Sequence, residues 1–252
     1  HPAAVPIVAQ WETIGTGTPF MYKGKVGISY GIHTGRIIKD EFLDGAIGAP
    51  AVDGPRYAIG GTYSLSDDAI HFRKSGKIVN PGQNPSFFNW PDGRLGLIAD
   101  GHFDKADSPD GWSLDAKILG DTSRSVGAGD CPWYFGWNGR HYILSGFTGF
   151  WMSTGSAKGP YTDLVAKGED IYDGLNVPMT MPFGNGRMIL AGWIPNTGWG
   201  GWLAFRELVQ HSDGTLGLKW AQETMPAEGA TLKEKSPSVF GTPASGDLLL
   251  SL

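Results

Sequence analysis

Residues 129–151, GDCPWYFGWNGRHYILSGFTGFW, decide the fold of this chain. Asp130 and the only cysteine, Cys131, come directly before a proline and two aromatic-rich apolar runs. Asn138 and Gly139 separate the two runs, and an Asn-Gly pair favours a tight β-hairpin because both residues tolerate positive φ. The stretch therefore predicts a β-hairpin whose first strand is preceded by a carboxylate.

The same unit recurs along the chain: a proline, an apolar run, a turn and a second apolar run. The prolines that open the five units are Pro19, Pro85, Pro132, Pro178 and Pro237. Successive prolines are 66, 47, 46 and 59 residues apart, near the forty-odd residues of a four-stranded propeller blade. Strand-like segments follow the first four hairpins and complete the blades. The longest step contains a polar, Gly- and Pro-rich insertion at residues 39–57, which predicts a loop.

The repeat predicts an all-β fold, a five-bladed β-propeller, with residues 1–252 forming a single domain. Two alternatives exist for how the ring of blades closes. In the first, the N-terminal segment 6–15 and the hairpin that begins at Ser236 pair in one blade. In the second, the chain is a fragment of a longer protein whose first blade lies upstream.

Composition limits the classes of partner. The net charge of −5 over 252 residues gives no electrostatic reason to expect nucleic acid or an anionic membrane. No apolar run approaches the length of a transmembrane span. Cys131 has no second cysteine to pair with, and the histidines lack the spacing of a zinc site. We expect a soluble protein with an uncharged or weakly charged partner and no cofactor; a bound calcium ion is the alternative, and the oligomeric state stays open.

Four stretches resemble motifs of a known family: DCPWYF from Asp130, the run 175–193, the run 205–220 and QNPSFF from Gln83. The family comprises the five-bladed propeller glycoside hydrolases of family 32 and its clan, which act on fructans and sucrose, with more distant kinship to family 43. The first three stretches occur in the family's order and at about its spacing. This resemblance implies a glycoside hydrolase acting on a furanoside or fructan-type carbohydrate, secreted or periplasmic, with a cytoplasmic location as the alternative.

The resemblance also implies roles for single residues. The family's acid/base glutamate matches Asp130, which is one methylene shorter. Its transition-state-stabilising aspartate matches Asn84, which carries no charge. Its nucleophilic aspartate has no match unless Ser236 occupies that place. Two of the three carboxylates are therefore missing or displaced.

Glycosidic cleavage needs one carboxylic acid to protonate the leaving oxygen and a second carboxylate to attack the sugar or activate water. In a propeller the inner strands begin around one axial funnel, so we expect Asp130 to face it. Poor solvation beside Trp133 and Tyr134 would raise the pKa of its carboxyl, as a general acid requires. The alternative is that Asp130 caps a turn. Asp173 and Glu41 are the preferred second carboxylates.

Sugar binding requires aromatic platforms and a rim of hydrogen-bonding side chains. Residues near predicted strand ends supply both kinds. The predicted binding residues are Thr18, His33, Gln83, Asn84, Trp133, Trp151, Asn176 and Trp199. The Gly- and Trp-rich run at 192–202 predicts a binding loop that also contains Trp202, although for any single tryptophan packing between blades is the alternative.

Two functional hypotheses follow. The first is a glycoside hydrolase with Asp130 as general acid/base. The second is a non-catalytic carbohydrate-binding propeller that lacks a full set of catalytic carboxylates. Both take a carbohydrate as partner.

Overall fold

The computed structural model describes residues 12–34, 58–79, 84, 86–99, 101–118, 120, 131–146, 149–196 and 200–225. Within these ranges the chain forms sixteen β-strands in four four-stranded sheets. The chain divides into two compact units, His1–Ala221 and Gln222–Leu252. The first contains all sixteen strands and a short 3-10 turn at Val165–Lys167, and the second contains a 3-10 turn at Gln222–Thr224. Among the described residues, no helix is long and apolar enough to cross a membrane.

Each sheet consists of four strands in chain order, and each strand is antiparallel to the one before it. Sheet 1 contains β1 (Glu12–Tyr22), β2 (Lys25–Thr34), β3 (Ala58–Ser66) and β4 (Arg73–Lys74). Sheet 2 contains β5 (Ser86–Asn89), β6 (Leu95–Ala99), β7 (His102–Ala106) and β8 (Ser113–Lys117). Sheet 3 contains β9 (Trp133–Trp137), β10 (Arg140–Leu144), β11 (Phe150–Ser153) and β12 (Thr162–Asp163). Sheet 4 contains β13 (Asn176–Phe183), β14 (Arg187–Pro195), β15 (Gly201–Gln210) and β16 (Leu216–Trp220).

The hairpins predicted at the first four repeated prolines are confirmed, as are the outer strands that follow them. Their turns use the expected backbone: Asn138 and Gly139 have φ of 46° and 75°, and Lys23 and Gly24 have φ of 49° and 78°. Two successive positive φ values are the turn geometry that matches the twist of a two-residue hairpin. The fifth predicted hairpin, from Ser236, lies outside the described residues. The structure thus describes four blades, and the fifth blade and the ring closure stay predictions.

Aromatic cores join neighbouring sheets. Phe20, Tyr63 and Phe87 pack between sheets 1 and 2. A second core between sheets 2 and 3 contains Phe88, Trp90, Phe103, Tyr134, Ile143, Trp151 and Tyr161. A third core between sheets 3 and 4 contains Trp133, Phe135, Tyr142, Leu144, Phe150, Leu190 and Leu208. Because successive strand residues face opposite sides, β5 points Phe87 at sheet 1 and Phe88 at sheet 3, and the sheets follow one another in a β-propeller arrangement.

Side chains also join the innermost strands of sheets 1 and 2. The Thr18 hydroxyl on β1 donates to the Phe87 carbonyl at 3.0 Å and accepts from the Phe87 amide at 2.9 Å. Three residues further along β1 and two residues further along β5, the Asn89 amide group accepts from the Met21 N–H at 2.7 Å and donates to the Met21 carbonyl at 2.9 Å. Both contacts advance in the same chain direction, so β1 and β5 run parallel.

We predict that Thr18→Val lowers the free energy of unfolding by about 1–3 kcal/mol, because the buried Phe87 amide and carbonyl lose the hydroxyl that serves both. Urea unfolding followed by tryptophan fluorescence measures the change. Thr154→Val, at an exposed position after β11, is the matched control and should leave stability unchanged. Equal stability of the two variants would show that this bridge between the sheets contributes nothing.

Candidate functional site at the starts of the inner strands

The four innermost strands surround a common axis. A cavity of about 220 Å³ is lined by residues from each of them, including Pro19 of β1, Phe88 of β5, Trp133 of β9 and Thr180 of β13. The Trp133 indole N–H donates to the Thr180 hydroxyl at 2.9 Å, which ties sheet 3 to sheet 4. The predicted radial arrangement is thus present in the four described blades.

The starts of these strands lie at one end of the ring. Thr16, near the start of β1, places its Oγ1 2.8 Å from Sγ of Cys131, which lies two residues before β9, although 115 residues separate them in sequence. The Val177 amide, near the start of β13, donates to the Gly146 carbonyl just beyond the end of β10. Since β10 ends beside the start of β9, the β13 start lies at the same end. We call this end, marked by Thr16, Asn84, Cys131 and Asn176, the site face.

The chain bends sharply where it enters the inner strands of sheets 2, 3 and 4. Asn84, Cys131 and Val177 each precede a proline, and their φ values are 47°, 56° and 48°. The left-handed conformation costs a residue with a Cβ roughly 1–2 kcal/mol. Cys131 is nevertheless fixed there, since its side chain is only 2% exposed and contacts Thr16. The bend thus recurs at the same place in three repeats, directly before the proline that opens each inner strand.

Asp130, the predicted general acid/base, comes directly before Cys131 but lies outside the described residues, as do Glu41, Gln83 and Trp199. Their roles stay predictions. Asn176 lies at the first position of β13 on the site face and is half-buried. It occupies the place directly before the left-handed residue Val177, which is the place of Asp130 in its own repeat.

The other predicted binding residues lie in two kinds of place. Asn84 is buried at the bend before β5, and the backbone of His33 lies at the end of β2 that pairs with the start of β1. Thr18 and Trp133 are both buried and bond to neighbouring inner strands, as described above. Trp151 is 3% exposed within the core between sheets 2 and 3. For Trp133 and Trp151 the structure shows the packing between blades that the sequence left as the alternative.

Asp173, a predicted second carboxylate, forms an ion pair with Arg206 on β15, with Oδ2 2.9 Å from Nε. β15 is the third strand of sheet 4, so the usual spacing of strands puts Arg206 about 10 Å from the innermost strand, β13. A catalytic role for Asp173 stays a prediction, and it requires the carboxylate to leave this partner.

Trp202 is the exposed aromatic residue of the site face. The β14–β15 hairpin extends beyond the start of β13, because Asn176 pairs with Trp193 and the strands continue to the Pro195–Gly201 pair. Near this tip Trp202 is 68% exposed, with Ile194 opposite it on β14. The described parts of the predicted binding loop, residues 192–196 and 200–202, therefore lie at or beyond the start of β13, at the end of the sheet that forms the site face.

Two residues of this face were missed by the sequence analysis, Thr16 and Tyr172. The Tyr172 hydroxyl lies 2.6 Å from the carbonyl oxygens of both Ser145 and Gly149, and it fixes the turn between β10 and β11. Burial raises the pKa of the Tyr172 phenol well above its ordinary value, so this donor keeps its proton. Thr16 was missed because its partner is distant in sequence, and Tyr172 because nothing local distinguishes it from a core tyrosine.

Among the described residues, no group of three or more His, Cys, Asp or Glu side chains is arranged to hold a metal ion. Calcium can also bind to carbonyl oxygens, so the calcium alternative stays a prediction.

Glu207, within the run 205–220, forms ion pairs with residues of the neighbouring strands of sheet 4. Its carboxylate accepts from Arg187 at 2.6 Å and pairs with Lys219 at 2.9 Å. Hydrogen bonds from Arg187 first, and then from Lys219, lower the pKa of the Glu207 carboxyl. The neighbouring Arg206 binds Asp173. Glu207 on β15 thus connects to β14 through Arg187 and to β16 through Lys219.

No protein-family model matches the chain, and no curated protein matches its sequence. Solved structures of glycoside hydrolases are similar to it in fold. A GH43 protein from Bacillus licheniformis is 15% identical with a TM-score of 0.52, over 82% of this chain and 43% of that one. The xylan β-1,4-xylosidase from Bacillus halodurans is 14% identical with a TM-score of 0.56, over 93% of this chain and 50% of that one.

A GH43 β-xylosidase/α-arabinofuranosidase from a compost metagenome is also 14% identical with a TM-score of 0.56, over 87% of this chain and 77% of that one. The chain thus spans half the length of the two Bacillus proteins or less. At such identities the likeness shows the fold, that of the propeller glycoside hydrolases. It agrees with the more distant of the two resemblances, to family 43, and the resemblance to family 32 stays a prediction.

We predict that Tyr172→Phe lowers the free energy of unfolding by about 1–3 kcal/mol, because two buried carbonyls lose their shared donor. Hydrogen exchange should speed up in the turn at 145–149, while the turn at 91–94 of sheet 2 serves as the internal control. Unchanged exchange at 145–149 would contradict the role given to the hydroxyl.

The lowered pKa of Glu207 gives a prediction with a defined sign. A carboxyl with a folded-state pKa below its unfolded value stabilises the protein above the ordinary glutamate pKa of about 4.3, and this contribution disappears as the pH falls through the folded value. Glu207→Gln should therefore be less stable than the wild type at pH 7, and the difference should shrink below about pH 4. Thermal unfolding across this range, with Glu169→Gln as the control, measures it. A difference independent of pH would contradict the assignment.

Proposed function

We propose that the protein is a glycoside hydrolase that acts on a furanoside or fructan-type carbohydrate at the site face, with Asp130 as the general acid/base. The observation that carries the proposal is the contact between Thr16 and Cys131, which brings the starts of β1 and β9 together. Cys131 directly follows Asp130 in the sequence. Residues distant in sequence thus converge where the chemistry needs two carboxylates.

The bend at Cys131 supports the role of Asp130. Cys131, which directly follows Asp130 in the sequence, is left-handed with a buried side chain, so the point at which the chain enters β9 is fixed. A general acid must meet the glycosidic oxygen in a narrow range of positions. The second carboxylate of this mechanism is Glu41 or Asp173.

The surroundings of the site face suit a sugar. Trp202 offers an exposed aromatic surface for the apolar C–H face of a sugar ring, and the Asn176 carboxamide offers both donors and acceptors for hydroxyl groups. The fold likeness adds support for a furanoside, because one of the similar structures is described as an α-arabinofuranosidase.

A second candidate function is carbohydrate binding without cleavage. Asn84 favours it, because a carboxamide at the place of the family's stabilising aspartate cannot neutralise an oxocarbenium-like state. The two candidates share the site face and differ only in whether a complete pair of carboxylates is present there.

We predict that Asp130→Asn lowers hydrolysis of aryl arabinofuranosides or fructan oligosaccharides by about 10²–10⁴-fold, as expected for loss of a general acid/base. Binding of the sugar should persist, because the amide keeps the size and most hydrogen bonds of the acid. Asp107→Asn, at an exposed position after β7, is the matched control. Glu41→Gln and Asp173→Asn then identify the second carboxylate by a loss of similar size.

Sugar binding by the wild type and Asp130→Asn, with hydrolysis by neither, would replace the first candidate by the second. Absence of both binding and hydrolysis for all these substrates would remove both candidates.

A further inference from the structure

A groove on sheet 4 has the features of a separate binding site. It has a volume of about 430 Å³, within the range of pockets that hold small ligands. We call it the Trp220 groove, and its lining residues are Asp170, Asp173, Arg206, Leu218, Lys219 and Trp220. Trp220 ends the fourth strand, so the groove lies about three strand spacings, roughly 14 Å, from the innermost strand β13.

Arg206 is a largely buried residue of the groove, and one of its N–H groups, Nη2, forms no hydrogen bond within the described residues. Its side chain is 9% exposed, Nε donates to Asp173 at 2.9 Å, and Nη1 donates to the Phe205 carbonyl at 3.1 Å. Within the described part of the chain, Nη2 has no acceptor. A guanidinium fixed on two sides and open on the third presents a rigid pair of N–H donors to a ligand.

Trp220 supplies an aromatic wall. The Arg206 guanidinium carbon lies 4.0 Å from the centre of its ring, so this stacking contact fixes the ring plane. The residue is nevertheless 49% exposed. A fixed, half-exposed indole is the kind of surface on which the apolar face of a sugar ring packs.

Two carboxylates complete the groove, and their charge determines which kind of ligand the groove favours. Asp170 is exposed and accepts from the Tyr172 amide at 2.8 Å, and the Asp173 side chain is 55% exposed beside Arg206. Lys219 directs its ammonium group to Glu207 on the other side of the sheet. The two aspartates therefore outweigh the arginine, which disfavours an anionic ligand and favours a neutral one rich in hydroxyl groups.

A cavity of about 470 Å³ on sheet 1 provides a contrast. Its charged groups pair with one another, Lys25 with Asp67 and His71 with Asp68, and no aromatic residue in it is both fixed by a cation and half-exposed. The combination of an N–H group available for a ligand and a fixed aromatic wall distinguishes the Trp220 groove.

We propose that the Trp220 groove is a second carbohydrate-binding site, which holds a neutral sugar unit of an oligosaccharide at the outer edge of sheet 4. The ring packs on Trp220, Arg206 Nη2 donates to one hydroxyl, and Asp173 or Asp170 accepts from its neighbours. The choice of a carbohydrate rests on the proposed function. The site would hold a chain that extends from the site face or bind a polysaccharide independently of it.

Isothermal titration with xylotriose and with a fructan trisaccharide tests the proposal, in the Asp130→Asn background so that the probes persist. Trp220→Ala should weaken one binding event about tenfold or more, and Arg206→Lys should weaken it as well because lysine lacks the second fixed donor. A trigalacturonate probe should not bind at the groove. Leu114→Ala, which removes an exposed apolar side chain from sheet 2, is the control.

The readouts separate this proposal from the proposed function. Asp173 lines the groove and is also one of the two candidates for the second carboxylate, so the groove is a separate site only if Asp173→Asn keeps the hydrolytic activity. With that activity kept, Trp220→Ala in the otherwise wild-type protein should leave hydrolysis of a short aryl furanoside unchanged while it lowers hydrolysis or retention of a long polysaccharide. Loss of hydrolysis in Asp173→Asn would overturn the second site, because the groove would then belong to the active site. Normal hydrolysis with binding unaffected by Trp220→Ala would overturn the second site alone. Trp220-dependent binding in a protein without hydrolytic activity would support the site and overturn the enzyme. Binding of trigalacturonate in place of the neutral probes would overturn the assigned ligand class.

Discussion

Side-chain hydrogen bonds between the innermost strands are the constraint on which the rest of the described structure depends. The four sheets share no backbone ladder, since each sheet is closed within its own four strands. Thr18 and Asn89 replace such a ladder between β1 and β5, and Trp133 with Thr180 joins β9 to β13. Because these bridges align the inner strands in one direction, their starts gather at one end and leave a site face there.

The repeated bend before each inner strand adds a second constraint. Asn84, Cys131 and Val177 share a left-handed conformation that is costly for a residue with a side chain, most of all for the β-branched valine. A conformation that recurs at three equivalent places and is unfavourable at each is maintained by the surrounding packing. Each bend lies directly before the proline that opens an inner strand. The residues that precede Cys131 and Val177 in the sequence, Asp130 and Asn176, are both polar.

The sequence predicted the local elements well, and for a physical reason. Asn138-Gly139 and Lys23-Gly24 select hairpin turns through their own backbone preferences, and the alternating aromatics of β5 and β9 need opposite faces to bury both sets. The contacts between blades were harder to predict. Thr16 meets Cys131 and Arg206 meets Asp173 through the closing of the fold, and no local pattern marks such pairs. Tryptophans illustrate the same limit, because Trp151 and Trp202 look alike in sequence while one is in a core and the other on the site face.

Charge connects the site face with the Trp220 groove. Cleavage needs at least one carboxylic acid that changes its protonation state, whereas binding a neutral sugar needs carboxylates held in place as acceptors. Asp173 is held by Arg206, and Arg206 is held in turn by Trp220, so this chain of contacts suits an acceptor better than a mobile acid. At the site face the neutral Asn84 stands where a charge would assist cleavage. Under the proposed function, the groups that would hold a sugar are thus fixed by their neighbours, and cleavage would depend on the few acids near the starts of the inner strands.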